Sequence, residues 1–369
     1  MNKTSKKSVC IVGVFPPPVH GLALINEAMK NRILKLDSNA SIIDLSSTSI
    51  NRNFYSLFIR FIKFIRQFPK YIISSIRKKY HTIYVGLSGG FGQFYDLLFL
   101  SIARITKQNI YIHHHTFGYF NKYKLLTKML ISICGKNAIH IVLCQKMQEQ
   151  LEIYKKKLKS VVLSNAVFLN INQSPIRKIK KIETIGFLGN ISIEKGIDIF
   201  FKTVEKINTK RPINGLIAGP FQDHHCELLT KKRINNLPQI KYIGEILDKD
   251  KIKFFNDVDI MLFPSILEEA EPVVIHEALA FGLPVIAYNK GCISEIVNSN
   301  NGYIIDPADN FIDISFEIIL KWIENPKKFN KIRNRVIQHS VKMQTKYRAS
   351  LETLLKQITQ NKKNHVPKS

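Results

Sequence analysis

The feature that most limits what this chain can fold into is a rhythm. Short apolar runs, each followed by a turn signal and a helix-length stretch, recur along the first half and then restart. The first series is Ser8–Val14, Ile42–Leu45, His81–Gly86, Asn109–His113, Ile139–Leu143 and Ser160–Leu163. The second is Thr184–Leu188, Gly215–Ala218, Ile240–Ile243, Asp259–Phe263, Pro284–Ala287 and Gly302–Ile305. Continuous short apolar strands alternating with helices predict parallel sheets covered on both faces. Two such series predict an α/β fold of two doubly wound, Rossmann-like domains facing each other, with ligands beyond the carboxyl ends of the strands in an interdomain cleft. The expected boundaries are 1–165 for the first domain, 166–182 for a linker of Asn, Ser, Pro and basic residues, and 183–340 for the second. The tail reads as helical from Asp313, with 340–360 expected to pack back on the first domain, and is polar after Gln360.

Charge separates the two halves. The 369 residues carry 55 Lys+Arg against 28 Asp+Glu, a formal net charge of +27. Residues 1–180 hold +22 of it and 181–369 only +5. The first half should therefore face something anionic: nucleic acid, a membrane surface or a phosphorylated substrate. At 45% hydrophobic the chain can fill two cores, which excludes a disordered or fibrous class. The five cysteines are scattered, odd in number and without CxxC spacing, so neither a zinc site nor a disulfide framework is expected and a reducing compartment fits. No signal-peptide core and no apolar run of ~18 residues stands out. The expected location is cytoplasmic.

Phe54–Tyr80 stands apart, with seven basic residues and no acid. Arg60, Lys63, Arg66, Lys70 and Arg77 fall within about one third of a helical wheel, and Phe, Ile, Leu and Tyr fill the rest. That is the pattern of a helix lying in a membrane surface, or else of a packing helix with a solvated basic face. Pro69 is expected to end one helix and start another.

The block that carries most chemistry is 264–297, PSILEEAEPVVIHEALAFGLPVIAYNKGCISEIV. A strand ends at Pro264–Ser265, a loop presents Glu268, Glu269 and Glu271, and a helix starts near Pro272. The first turn at Pro272, Val273 and Val274, whose Val273 and Val274 N–H groups stay open and are reinforced by the helix dipole, makes an anion site. Glu277 lies about two turns beyond Glu269, where a carboxylate can accept ribose hydroxyls. This block resembles the nucleotide-sugar site of family 4 (group 1) glycosyltransferases, retaining enzymes of GT-B fold. Glu269 and Glu277 match that family's pair of glutamates eight residues apart.

Further segments follow the family's order. Gly186–Gly196 (GFLGNISIEKG) resembles its strand–loop–Lys-Gly motif. The resemblance places Lys195 on the donor diphosphate, lets the backbone approach at Gly189, and puts Asn190 where the family often has arginine. In Pro16–Leu22 (PPPVHGL), Gly21 matches the glycine of the first phosphate-facing loop, with His20 where a second glycine is common. The absence of GxGxxG argues against a dinucleotide enzyme. His113, His114 and His115 close a strand, and adjacent residues there point to opposite faces, so all three cannot share one site. The family has one histidine here facing the transferred sugar. His115 is the first candidate and His113 the second.

Other polar groups read as structural. Asp257 and Asp259 flank the start of a buried strand and suit capping, not metal binding. His224 and His225 suit an exposed loop, Lys155–Lys159 a solvated helix end, and Glu295 a helix-dipole partner. Glu268 and Glu271 receive no role from the resemblance.

What the resemblance implies is a metal-independent, hexosyltransferase-type enzyme that takes a nucleoside-diphosphate sugar as substrate, needs no cofactor, and passes the sugar to an acceptor hydroxyl with retention. The basic first domain and Phe54–Tyr80 suit a polyprenyl-diphosphate-linked glycan on the anionic inner face of the cytoplasmic membrane, as in O-antigen (lipopolysaccharide) or capsule synthesis. A sugar-nucleotide epimerase of the same architecture is the alternative; it would leave the basic first domain unexplained. A nucleic-acid-binding protein suits the charge, but no binding motif accompanies it.

Overall fold

The computed structural model describes residues 8–47, 54–169 and 178–360. They form two compact units, one of residues up to Phe168 together with those from Thr345, the other from Leu169 to Gln344. Each unit is built on a six-stranded sheet in which every pairing is parallel.

In the first unit, β1 (Ser8–Gly13), α1 (Gly21–Leu36), β2 (Ser41–Asp44), α2 (Phe54–Ile76), β3 (Tyr80–Leu87), α3 (Gln93–Ile105) and β4 (Asn109–His114) follow in order. Then come α4 (Gly118–Asn121), α5 (Leu125–Cys134), β5 (Ile139–Val142), α6 (Gln145–Leu151) and β6 (Lys159–Val162). The strand order is β2-β1-β3-β4-β5-β6, so winding reverses between β1 and β3.

The second unit runs β7 (Thr184–Leu188), α7 (Ile197–Asn208), β8 (Asn214–Ala218), α8 (His224–Asn235), β9 (Ile240–Tyr242), α9 (Asp248–Asp257), β10 (Ile260–Phe263) and α10 (Val273–Ala280). It continues with β11 (Val285–Tyr288), α11 (Ile293–Ile296), β12 (Gly302–Ile305), α12 (Phe311–Glu324) and α13 (Pro326–Gln360). Its order, β12-β11-β10-β7-β8-β9, reverses between β7 and β10. Loops at the carboxyl ends of two strands wound in opposite directions part from each other and leave a crevice, the usual ligand position in such sheets. The loops after β7 and β10 are the ones that carry Lys195 and Glu269.

All twelve strand expectations are met within a residue or two: the inner strands are apolar runs that the sheets bury on both faces, while the edge strands β2 and β9 leave Ile42 and Lys241 exposed. Four local readings need correction. Pro69 sits inside one continuous helix, α2. Phe64, Phe68 and Tyr71, on both sides of the proline, each pack edge-to-face with Phe99 within 6 Å and hold the helix axis together. Arg60 and Lys63 are not solvated stripe cations. Lys63 binds Asp44 at 2.8 Å, and Arg60 donates to Ser88 Oγ at 2.8 Å. His224 and His225 open α8 rather than sit in a loop, because Asp223 caps that helix by accepting from the Cys226 amide. Lys155–Lys159 follows the end of α6 and runs into β6 instead of ending a helix. Asp259 has the structural role expected of it, accepting from the Glu183 and Thr184 amides at 2.7 and 3.0 Å. The middle of the 166–182 linker, 170–177, lies outside the described residues. Among the described residues no helix is long and apolar enough to cross a membrane.

Candidate active site

The second unit brings Lys195, Glu269, the start of α10 and Glu277 to the switch point of its sheet. β7 ends at Leu188, and the chain turns through Gly189 and Asn190 into the loop holding Lys195. That loop is fixed from below. The Lys195 amide donates to Ser192 Oγ, and the Ile266 amide donates to Glu194 O, tying it to the loop after β10. Gly196 follows at φ +85°, where a Cβ would sit 2.3 Å from Pro264 O, so only glycine lets the two loops meet.

Lys195 Nζ forms an ion pair with Glu269 Oε1 at 2.5 Å, and the same oxygen accepts from Ser265 Oγ at 2.6 Å. Both side chains are half-buried, so the pair sits in a reduced dielectric while remaining reachable. Gly291 clamps the Glu269 loop from the other side. At φ +59°, its Cβ would fall 1.9 Å from Glu269 O. Its amide donates to Glu268 Oε2 at 2.6 Å, and the Cys292 amide donates to Glu269 O. Glu268 thus acquires a role as a loop fastener. Glu271 pairs with His276 at 3.1 Å, both buried, which pins the loop to the helix it enters.

Pro272 is the N-cap of α10 and makes no side-chain cap hydrogen bond, leaving the first-turn amides of Val273 and Val274 to an anion. Inside the helix, Glu277 is half-buried. Lys251, from α9, holds Oε1 at 2.6 Å, while Oε2 is buried with no hydrogen-bond partner. Burial pushes the Glu277 carboxyl above the ordinary value, and the Lys251 ammonium works against that rise. The orphaned Oε2 is an acceptor waiting for a donor, as a ribose hydroxyl would be.

The first unit collects a separate set at the carboxyl ends of β1, β3 and β4. His20 caps α1, its Nδ1 accepting from the Ala23 amide, and Gly21 is the first residue of that helix. The His113 and His115 rings lie 4.0 Å apart at a tilt, and Tyr84 Oη lies 2.7 Å from His113 Nδ1. His114 points to the other face, toward Tyr119 and His140, as strand alternation requires. Burial, followed by the neighbouring His20, pushes the His115 imidazole down to about 3. Burial also drives His113 far down, with His115 and His114 adding to it. Both are therefore neutral near pH 7 and act as hydrogen-bonding groups rather than cations.

Sequence reasoning missed Lys251, Ser265 and Gly291. The glycine was visible in the Lys-Gly-Cys turn, but neither its contact with Glu269 nor the Lys251–Glu277 pair has a local signature.

Two parallel, doubly wound sheets with the anion-ready loops at a switch point define the GT-B class of architecture. The sequence agrees: residues 170–339 match the family model of glycosyl transferases group 1, just under half of the chain. One subunit of human phosphatidylinositol N-acetylglucosaminyltransferase is 25% identical over 208 residues, 54% of this chain. The capsular polysaccharide biosynthesis glycosyltransferase CapM of Staphylococcus aureus is 29% identical over 131 residues, 34% of this chain. These matches span 42% and 33% of the two relatives' own lengths. Among solved structures, Anabaena HepE in complex with UDP superimposes with a TM-score of 0.71, covering 94% of this chain and 100% of that one at 17% identity.

Proposed function

We propose that the chain is a retaining glycosyltransferase that moves a sugar from a nucleoside-diphosphate donor to an acceptor hydroxyl. The observation that carries the reading is the second unit's constellation: a Lys195–Glu269 pair, open amides at α10 and an orphaned Glu277 oxygen, all at one switch point. Glu277 takes the ribose, Lys195 and the α10 amides the diphosphate, and Glu269 the sugar. As the sugar–phosphate bond breaks, negative charge grows on the leaving diphosphate. The Lys195 ammonium and the amide dipoles are already in place to receive it. They supply the counter-charge that a metal ion would otherwise bring, so the reading needs none. UDP and UDP-glucose complexes of HepE favour a nucleotide-sugar donor.

The first unit receives the acceptor, with His115 serving the transferred sugar as a neutral hydrogen-bond partner. A polyprenyl-diphosphate-linked glycan at the cytoplasmic face of the membrane suits its charge. The capsule and D-rhamnosyltransferase functions named for CapM and for WbpZ of Pseudomonas aeruginosa favour surface-polysaccharide synthesis.

The test is to incubate the full chain with radiolabelled nucleotide sugars and a bacterial lipid extract, then to determine the anomeric configuration of the product by NMR. Transfer with the donor's configuration kept supports the proposal. A new sugar nucleotide formed from donor alone would instead make the protein an epimerase.

A further inference from the structure

The face of α2 left to solvent holds more apolar surface than a packing helix needs. Leu57, Phe58, Phe61, Ile65 and Ile76 are all exposed, Ile76 to 68%. At about 100° per residue they occupy one broad arc, and Arg66, Lys70 and Arg77 lie side by side along a single edge of it. These three cations are exposed and make no ion pair among the described residues, whereas Arg60 and Lys63 are turned inward.

Arg60 joins this face to a second apolar feature. Its guanidinium reaches Ser88 and lies 5.4 Å from the Tyr95 ring centroid. Tyr95 also packs on Phe64 of α2 at 4.8 Å. The glycine-rich turn between β3 and α3, Ser88–Gly92, is thereby fastened beside the first half of α2. From that turn Phe91 projects with 91% of its surface exposed, and Phe94, at the start of α3, is 54% exposed. Gly92 is packed so close that a Cβ there would meet Arg60 Nη1 at 2.8 Å, which fixes the turn's position. Phe94 meets only the edge of Tyr95, and two phenylalanines held out so far beside an apolar helix face are costly in water.

We infer that Phe91 and Phe94 form an insertion hook which, with the apolar face of α2, enters an anionic lipid bilayer while Arg66, Lys70 and Arg77 engage its headgroups. Charge complementarity selects this occupant: the apolar arc is edged only by cations, and α2 carries no acid. The inference rests on the membrane-borne acceptor proposed above and adds the residues that enter the bilayer. The hook stands at the carboxyl edge of β3, next to the strand that ends in the histidines, because Leu87 and His114 are register partners. Insertion there brings the membrane surface to the end of the sheet where the acceptor set lies.

The experiment measures sedimentation of the full chain with vesicles of phosphatidylglycerol and phosphatidylcholine, and with phosphatidylcholine alone, at low salt and at high salt. Wild type should partition onto the anionic vesicles. F91S/F94S should lose about tenfold or more of the partition coefficient at both salt concentrations, because the lost interaction is apolar area. R66Q/K70Q/R77Q should lose affinity mainly at low salt, where screening is weak. Both variants alter exposed side chains, and unchanged melting temperatures would show that the fold persists. A wild type that binds while F91S/F94S binds equally well overturns the hook, as does equal binding to uncharged vesicles. So does a concentration-dependent dimer that the same two substitutions abolish, since the patch would then belong to a second copy of the chain. A wild type that ignores all vesicles overturns the membrane-borne acceptor as well; donor binding, measured by nucleotide-induced stabilisation, is read independently of both.

Discussion

Replacing Glu277 by Gln keeps the shape of the side chain and removes its charge. In the structure Oε1 is already engaged by Lys251 at 2.6 Å, so the buried, unpartnered Oε2 is the oxygen left for a ribose hydroxyl. A hydrogen bond to a charged acceptor contributes about 1.5–3 kcal/mol. Its loss should weaken nucleotide binding by roughly 10- to 150-fold. Acidification should do the same to the wild type, since burial holds the Glu277 pKa above its ordinary 4.5 and binding requires the ionised form. Affinity is thus full above the raised pKa and falls as pH drops through it. Stability of the empty protein moves the opposite way. A carboxyl with a raised folded-state pKa contributes stability that is complete below 4.5 and is lost as pH rises through the folded value. Lys251→Met removes the ammonium that opposes the rise, so the pH at which affinity fails should move upward. Calorimetric titration with UDP across pH, in wild type and E277Q, isolates the Glu277 contribution, because the nucleotide's own phosphate titration is common to both. Equal affinities at pH 8, or identical pH profiles for the two proteins, would refute the reasoning.

Lys195→Ala should lower turnover by an order of magnitude or more while changing donor KM less, because the charge it meets grows as the leaving group departs; steady-state kinetics checks the split. Gly291→Ala would place a methyl 1.9 Å from Glu269 O, so the loop must shift. A stability loss of about 1–3 kcal/mol is expected in denaturant titration, with weaker binding of the nucleotide sugar than of the bare nucleotide. His115→Ala should reduce transfer yet leave nucleotide affinity unaltered. Its activity should show no imidazole inflection between pH 5.5 and 7.5 in the wild type, since the ring is already neutral there.

The inner strands were legible because they are short runs apolar on both faces, and parallel sheets buried on both sides demand that pattern. The donor loop was legible for a different reason. Glu269, Pro272 and Glu277 belong to one continuous stretch whose spacing survives folding unchanged. What could not be read depends on partners far along the chain. Lys63 finds Asp44, Arg60 finds Ser88, and Lys251 finds Glu277 across 26 residues, so a helical wheel assigned the first two to solvent and gave the third no role. Pro69 was misread because tertiary packing outweighed a local rule. The edge-to-face packing of Phe64, Phe68 and Tyr71 on Phe99 bridges the proline and holds one axis where sequence alone suggests two.

The central claim is a preformed nucleoside-diphosphate site in the second unit, and thermal denaturation with UDP, GDP, ADP, TDP and CMP, with and without EDTA, tests it most directly. A ligand bound only by the folded state at about 100 times its Kd adds about 2.7 kcal/mol of stability. One diphosphate should raise the melting temperature, insensitively to EDTA, and the shift should shrink in both E277Q and K195A. No shift with any nucleotide, or a full shift in both variants, would contradict the account.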